Sequence, residues 1–326
     1  MSSGSEPQHQ SSMAALPVGR ATRPLSAAER RARYFNSANA FNISLPEVPA
    51  GIFSEPIAQA LQDDAATGYV DCDQSAALAT PYPATTPFML ARYARINAGE
   101  TLEADFAASG SIWYVMHGSM QVVKLDGEAD QLVFTGDVLY LPAGAHVVVN
   151  TGDVACVAWL VTDEPMLAHH GLRAVSATSS DRDAGAVLFR AEDIAAQIET
   201  IYRTVPDAGT SGMAVVFSAQ AYETSRNLMP NLTLSLNTLP AHCHQSPHRH
   251  NSAALTLVVA ADRCYSRVDE QQCPWTAGAT LVTPAGAPHS HHNEGDTRAA
   301  FLIVQDGGLY YQARTMGFEF LEKQAD

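Results

Sequence analysis

From Pro87 to Val161 the chain alternates between short apolar runs and turn-forming residues. The runs are Phe88–Ile96, Ser111–His117, Met120–Leu125, Gln131–Phe134, Val138–Leu141, His146–Asn150 and Ala155–Val161. Between them stand Asn97-Ala-Gly99, Asp126-Gly127, Thr135-Gly136-Asp137, Pro142-Ala-Gly144 and Thr151-Gly152-Asp153. Side chains on a strand point to opposite faces in turn, so this pattern predicts many short strands closed as a sandwich or small barrel. A second β-rich block runs from about Met213 to Phe320. Helical signals are few. Ser26-Ala-Ala-Glu29 has capping-box spacing and predicts a short helix to about Tyr34. Another is expected near Pro56–Gln62 and a longer one over Ala191–Tyr202.

The two β blocks read as copies. Thr135-Gly-Asp-Val-Leu-Tyr-Leu-Pro142-Ala-Gly-Ala-His146 matches Ala277-Gly-Ala-Thr-Leu-Val-Thr-Pro284-Ala-Gly-Ala-Pro-His289 at an offset of 142, with Pro288 as an insertion. Asn150-Thr-Gly-Asp153 then meets Asn293-Glu-Gly-Asp296. Turn, strand, turn and histidine in register predict two barrels of one design. The expected organisation has four parts: a disordered tail over 1–24, an N-terminal extension with the first barrel over 25–175, a linker and helix over 176–212, and a second barrel over 213–326.

Histidine is concentrated in the second block. Seven of the chain's 12 histidines lie between His242 and His292. His248 and His250 are two apart, so on a strand both imidazoles aim at one point. His289, returning on a neighbouring antiparallel strand, completes a facial set of three that leaves positions open for water, substrate or oxygen. Three neutral imidazoles suit Fe(II), Zn(II), Ni(II), Mn(II) or Cu(II), and ligand type alone does not choose among them. At the offset of 142, His146 falls opposite His289, but Phe106 and Ala108 fall opposite His248 and His250. The metal site is therefore expected in the second barrel alone.

Neighbouring positions follow from the same alternation. His291 shares a face with His289 and is a candidate acid/base group or substrate clamp, whereas His292 points away. Thr256, Ala254 and Ser252 are expected to line the cavity, and Arg249 to turn outward into a salt bridge. His242 and His244 either reach the pocket or a second metal, or face solvent; Cys243 between them reads as a buried, inert thiol. Trp113, Tyr114, His117 and Trp275 read as core, surface or hairpin packing. Tyr310, Tyr311 and Arg314 read as core or interface.

Composition narrows the function. The 326 residues are 46% hydrophobic and 16% charged, as in a globular protein of two domains. A net charge of −15 lacks the basic footprint that nucleic acid or an anionic membrane surface requires. Five cysteines with no CxxC pair read as reduced thiols in a cytoplasmic protein. No apolar run approaches membrane-spanning length, and Met1–Arg20 lacks the apolar middle of a signal peptide.

His-x-His, a β-hairpin, then Pro-x-Gly-x-Pro-His resembles the two-motif signature of the cupin superfamily, over most of residues 85–165 and 230–310. The resemblance implies an all-β bicupin: two antiparallel jelly-roll (double-stranded β-helix) barrels, each with its site inside, assembling as a homodimer or homotetramer. The usual cupin glutamate ligand is absent, Ala254 and Leu255 standing there. The three-histidine site is similar to those of cysteine dioxygenase, acetylacetone dioxygenase and the gentisate dioxygenase group. Pro247-His-Arg-His-Asn-Ser-Ala-Ala-Leu255 and Pro288-His-Ser-His-His-Asn-Glu-Gly-Asp296 most resemble the gentisate, salicylate and hydroxynaphthoate ring-cleaving bicupins. This implies an Fe(II) dioxygenase taking O₂ and a small molecule, with His291 in the active site. Two other readings stay open: a non-oxidative metal-dependent isomerase, lyase or hydrolase, and a small-molecule-binding bicupin without catalysis. Two features depart from that group. Its metal usually sits in the first cupin, and its substrate-carboxylate arginine is replaced here by Thr256. Thr256 favours a less charged phenol, diketone or similar chelator unless another arginine, such as Arg92 or Arg95, reaches the cavity.

Overall fold

The strands Leu90–Ile96 and Cys156–Thr162 pair antiparallel, and every residue on both is buried. A strand hidden on both faces must serve two cores, and the parity of its residues shows which. In the computed structural model, which describes residues 12–123, 129–174, 185–205 and 212–322, odd residues Tyr93, Val157, Trp159 and Val161 face one cluster. Even residues Ala94, Ile96, Ala158 and Leu160 face another, with Trp113, Met120, Leu139, Leu141 and Val148. The second cluster is the filled interior of the first barrel. The first lies between the barrels and includes Leu234, Leu255, Leu257, Val282, Leu302 and Val304 from the second.

Each barrel is made of two antiparallel sheets. In the first, Leu90–Ile96, Gly110–His117, Val138–Pro142 and Cys156–Thr162 belong to a six-stranded sheet, opposed by four strands that include Thr101–Asp105 and Ala145–Val149. In the second, a six-stranded sheet carries Thr233–Leu239, Ala254–Ala260, Thr280–Thr283 and Ala299–Gln305. Its partner sheet carries His248–His250, Cys264–Val268, Gln271–Pro274, His289–Asn293 and Phe318–Phe320. The barrels are tied by polar contacts as well: Trp159 Nε1 donates to Thr280 Oγ1 at 2.9 Å, and Tyr93 Oη to the Gly278 carbonyl at 2.5 Å. The all-β expectation holds, and the helix Ala191–Tyr202 spans the residues predicted for it.

The domain limits are less sequential than expected. Gly51–Phe53, counted with the first barrel, pairs with Thr280–Val282 of the second. Val187–Phe189, counted with the linker, pairs with Val138–Tyr140 of the first. Strands of three residues are too short to show a period, so nothing in the pattern assigns them. The expected linker over 176–184 and the Asp126-Gly127 turn lie outside the described residues.

The described residues up to Pro46 form a separate unit. Residues 12–24, expected to be disordered, hold a 3₁₀ turn at Met13–Ala15, and Gly19 bridges to Tyr34. The helix is Ala27–Arg31, with Ser26 Oγ accepting from the Glu29 N–H at 3.2 Å. It ends before Tyr34 because that residue's N–H and C=O pair with Gly19.

The repeat is also clearer than the sequence suggests. Leu90–Ile96 and Thr233–Leu239 lie 143 residues apart, as do Cys156–Thr162 and Ala299–Gln305, and the helices Glu164–His170 and Gly307–Ala313. The offset of 142 applies only locally, because the loops around the intervening hairpin differ in length between copies. At the ligand strand the pairing sets the match: Ala104 faces His146 as His248 faces His289, so His248 and His250 fall opposite Ala104 and Phe106, not Phe106 and Ala108.

Candidate metal centre

His248 and His289 are cross-strand partners, and His250 lies one residue beyond Arg249 on the same strand as His248. This places the three rings with centroids 4.2 Å (His248–His289), 4.7 Å (His250–His289) and 5.9 Å (His248–His250) apart. All three are buried, and one ligand atom from each lies within 4.8 Å of the others. Each ring is oriented by its own backbone. Nδ1 of His248 donates to the Ser246 carbonyl at 2.9 Å, that of His250 to Ser252 at 2.8 Å, and that of His289 to Ala287 at 2.8 Å. A carbonyl only accepts, so Nδ1 carries the proton and Nε2 keeps its lone pair. Three oriented imidazoles of this tautomer are a donor set that fits a divalent transition metal.

The electrostatics agree with neutral ligands. Burial lowers the pKa of His248 and His250, and lowers that of His289 to about 3, with the neighbouring imidazoles adding to the effect on His289. Burial likewise holds His291 well below the ordinary histidine range. His291 stands next to His289, ring centroids 5.9 Å apart, and lines the same cavity. Its Nδ1 meets Ser266 Oγ at 2.7 Å, and that oxygen accepts from Trp275 Nε1 at 2.8 Å. The serine, already accepting from the tryptophan, has its own proton available for Nδ1, the arrangement in which neutral His291 carries its proton on Nε2. Trp275, read from sequence as hairpin packing, therefore also holds, through Ser266, a histidine that lines the cavity.

The three histidines open on a cavity of about 1300 Å³. Thr256 and Ala254 line it as expected, but Ser252 does not. Ser252 is fully buried behind His250; its carbonyl accepts from His250 Nδ1, and its hydroxyl meets Gln305 Oε1 at 3.3 Å. It supports the histidine and does not face a substrate. Gln305 lines the cavity with its amide nitrogen 3.2 Å from His250 Nε2.

Two arginines line the cavity, Arg226 and Arg314, and no aspartate or glutamate does so among the described residues. Tyr310, Tyr311 and Arg314, expected as core or interface, are lining residues too, because the helix Gly307–Ala313 borders the cavity. The arginines named from sequence are committed elsewhere. Arg92 pairs with Asp71 at 2.8 Å and with Glu164, and Arg95 bonds Asn97 and the Ala60 carbonyl. Gln305 was findable, since it follows Phe301 and Ile303 in inward-facing alternation on its strand. Arg226, in a loop, gave no periodic signal.

The remaining residues fall outside the cavity. Arg249 turns out to Glu319 at 2.6 Å, as expected. His242 meets Asp296 at 3.1 Å, and His244 stacks on His292, itself stacked on Tyr265. Cys243 is exposed, not buried: the strand Cys243–His244 is two residues long with both side chains in solvent. In the first barrel His146 donates Nε2–H to the Pro142 carbonyl at 2.9 Å, and its buried Nδ1 has no partner.

Residues 236–305, which span the three histidines, match the cupin domain family. Over most of the chain the fold is similar to that of solved bicupin dioxygenases. Salicylate 1,2-dioxygenase from Pseudaminobacter salicylatoxidans superposes with a TM-score of 0.72 at 15% identity, over 86% of this chain and 91% of that one. Its gentisate adduct gives 0.67 at 16% identity, over 86% and 87%. In sequence, gentisate 1,2-dioxygenase from Ralstonia sp is 34% identical over 64 residues. That match covers 20% of this chain and 18% of the relative. Among the described residues, no helix is long and apolar enough to cross a membrane.

Proposed function

We propose that the protein is a non-haem Fe(II) dioxygenase of the cupin type, cleaving a ring or an activated C–C bond in a small phenolic or diketone-like compound. His248, His250 and His289 hold the metal, His291 handles protons, and Thr256 and Ala254 contact the substrate. The observation that carries this reading is three buried imidazoles with Nδ1 satisfied and Nε2 keeping its lone pair, facing a cavity with no carboxylate among the described residues. Neutral ligands leave the charge of a divalent ion uncompensated, which favours an anionic chelating substrate. Iron there would supply activation of O₂, whose two atoms both enter the product, so no reductant is consumed.

Arg226 and Arg314 widen the substrate class expected from Thr256 alone. An acidic group away from the chelating oxygens would meet a guanidinium, in a protein whose net charge is −15. We place the protein in the cytoplasm, on its five free thiols, and as a homodimer or homotetramer in solution. Leu25, Phe41 and Leu45 of the N-terminal unit support the assembly, being 92%, 89% and 79% exposed. Oxygen-electrode traces with the Fe(II)-loaded protein test the reaction over a panel of phenolic acids, phenols, diketones and thiols. Consumption that needs both iron and substrate is expected. Turnover with Zn(II) and no oxygen uptake would move the protein to the non-oxidative metal enzymes, and ligand binding without turnover under any metal would make it a binding module.

A further inference from the structure

Gln305 ends the strand Ala299–Gln305, and its counterpart 143 residues earlier is Thr162. The second barrel thus has a carboxamide where the first has a short hydroxyl. The amide orientation is fixed by its neighbours. His250 Nδ1–H donates to the Ser252 carbonyl, so the Ser252 hydroxyl, 3.3 Å from Gln305 Oε1, donates to that oxygen. The amide N–H₂ is thereby turned to His250 Nε2 at 3.2 Å and uses its lone pair as acceptor.

That lone pair is the one a metal takes. Once Nε2 is a ligand it no longer accepts, while Ser252 still holds the amide oxygen. A half-buried N–H₂ is left pointing into the cavity beside His250 without its acceptor. An unsatisfied donor in such a place is costly, and the best replacement is a negatively charged oxygen. We propose that Gln305, set by Ser252, is a positioning residue for the anionic group of the substrate next to His250, donating N–H to its phenolate or enolate oxygen. This rests on the metal reading above and adds to it a selection for substrates that bind as oxyanions.

The test uses the full-length protein loaded with Co(II), whose visible bands report coordination, with azide as the anionic probe. Wild type is expected to take one Co(II) and bind azide. Gln305→Leu should take Co(II) with the same stoichiometry and bind azide about tenfold or more weakly, the scale of one charge-assisted hydrogen bond. Gln305→Glu should retain Co(II) and exclude azide by like charge. Ser252→Ala should weaken azide less than Gln305→Leu does. Unchanged azide affinity in Gln305→Leu overturns the proposal, as does loss of Co(II) from that variant alone, which would make Gln305 a ligand. Should Gln305→Leu fail to fold, the Gln305→Glu and Ser252→Ala titrations decide by the same readings. Failure of wild type to bind Co(II) would instead remove the metal reading beneath.

Discussion

Arg314 stands in the second barrel where Gly171 stands in the first. The two residues are 143 apart, and each ends a seven-residue helix in the left-handed region, at φ 59° and 64°. Glycine adopts that conformation freely; arginine there costs of order 1 kcal/mol. The second barrel keeps this strain at the residue that brings a guanidinium to the cavity.

Arg314→Gly is therefore expected to separate stability from binding. Its melting temperature should match or exceed wild type by up to about 3 °C. Affinity for a carboxylated phenol should fall by roughly fivefold or more, with an uncharged phenol unaffected. Calorimetry with the two ligands checks both halves.

Metal content should be asymmetric between the barrels. His250→Ala is expected to remove most bound metal, and His146→Ala to leave it unchanged, as measured by elemental analysis after loading and desalting. His146 reaches only the Pro142 carbonyl, inside a barrel packed with apolar side chains. Equal losses would refute the assignment.

Stability of the metal-free protein should fall with acid. His248, His250 and His289 have depressed folded-state pKa values, so below about pH 6.5 the unfolded chain binds protons that the folded chain refuses. Their contribution is full above pH 6.5 and is lost as pH drops toward about 3, the folded value for His289. His289 alone contributes up to about 1.4 kcal/mol per pH unit in that window. Burial raises Asp306 to about 7, and it acts in the opposite sense, losing stability as pH rises to that value. Urea denaturation at pH 7 and pH 5 should show the histidines prevailing, with a larger drop in Asp306→Asn.

Ser266→Ala should unlock His291. It leaves Trp275 Nε1 and His291 Nδ1 without the oxygen they share, at roughly 1–3 kcal/mol. If the proposed activity holds, kcat of the Fe(II)-loaded protein is expected to fall about tenfold with KM little changed, because the imidazole tautomer is no longer fixed. A change in KM alone would speak against a role in proton handling.

Of the five thiols, Cys243 alone is exposed, and burial pushes Cys72 and Cys156 up to about 12. A thiol reagent on the native protein should modify one cysteine quickly and the others only on unfolding.

Much of this could be read from sequence, for identifiable reasons. Period two put His248, His250, Thr256 and His291 on inward faces, and the helix Ala191–Tyr202 showed its own period. Alternation gives a face but not depth, so it did not distinguish Ser252, sealed behind His250, from Ala254 in the cavity wall. Arg226 and the residues of Gly307–Ala313 come to the cavity through chain reversals, which leave no local periodicity. The repeat offset slipped by one because hairpin loops change length freely, while paired strands do not.

The interior of the first barrel sets a direction on the history of this chain. Had the duplicated halves begun alike, Trp113, Met120, Leu139 and Leu141 now occupy the volume that the second half leaves for ligand. Placing histidines at 104 and 106 would not reopen that volume. Each large side chain would also have to shrink, at about 2–5 kcal/mol apiece, before any site existed to reward the change. The packed half has become a ratchet: selection can refine the open barrel freely, but single steps no longer lead the closed one back.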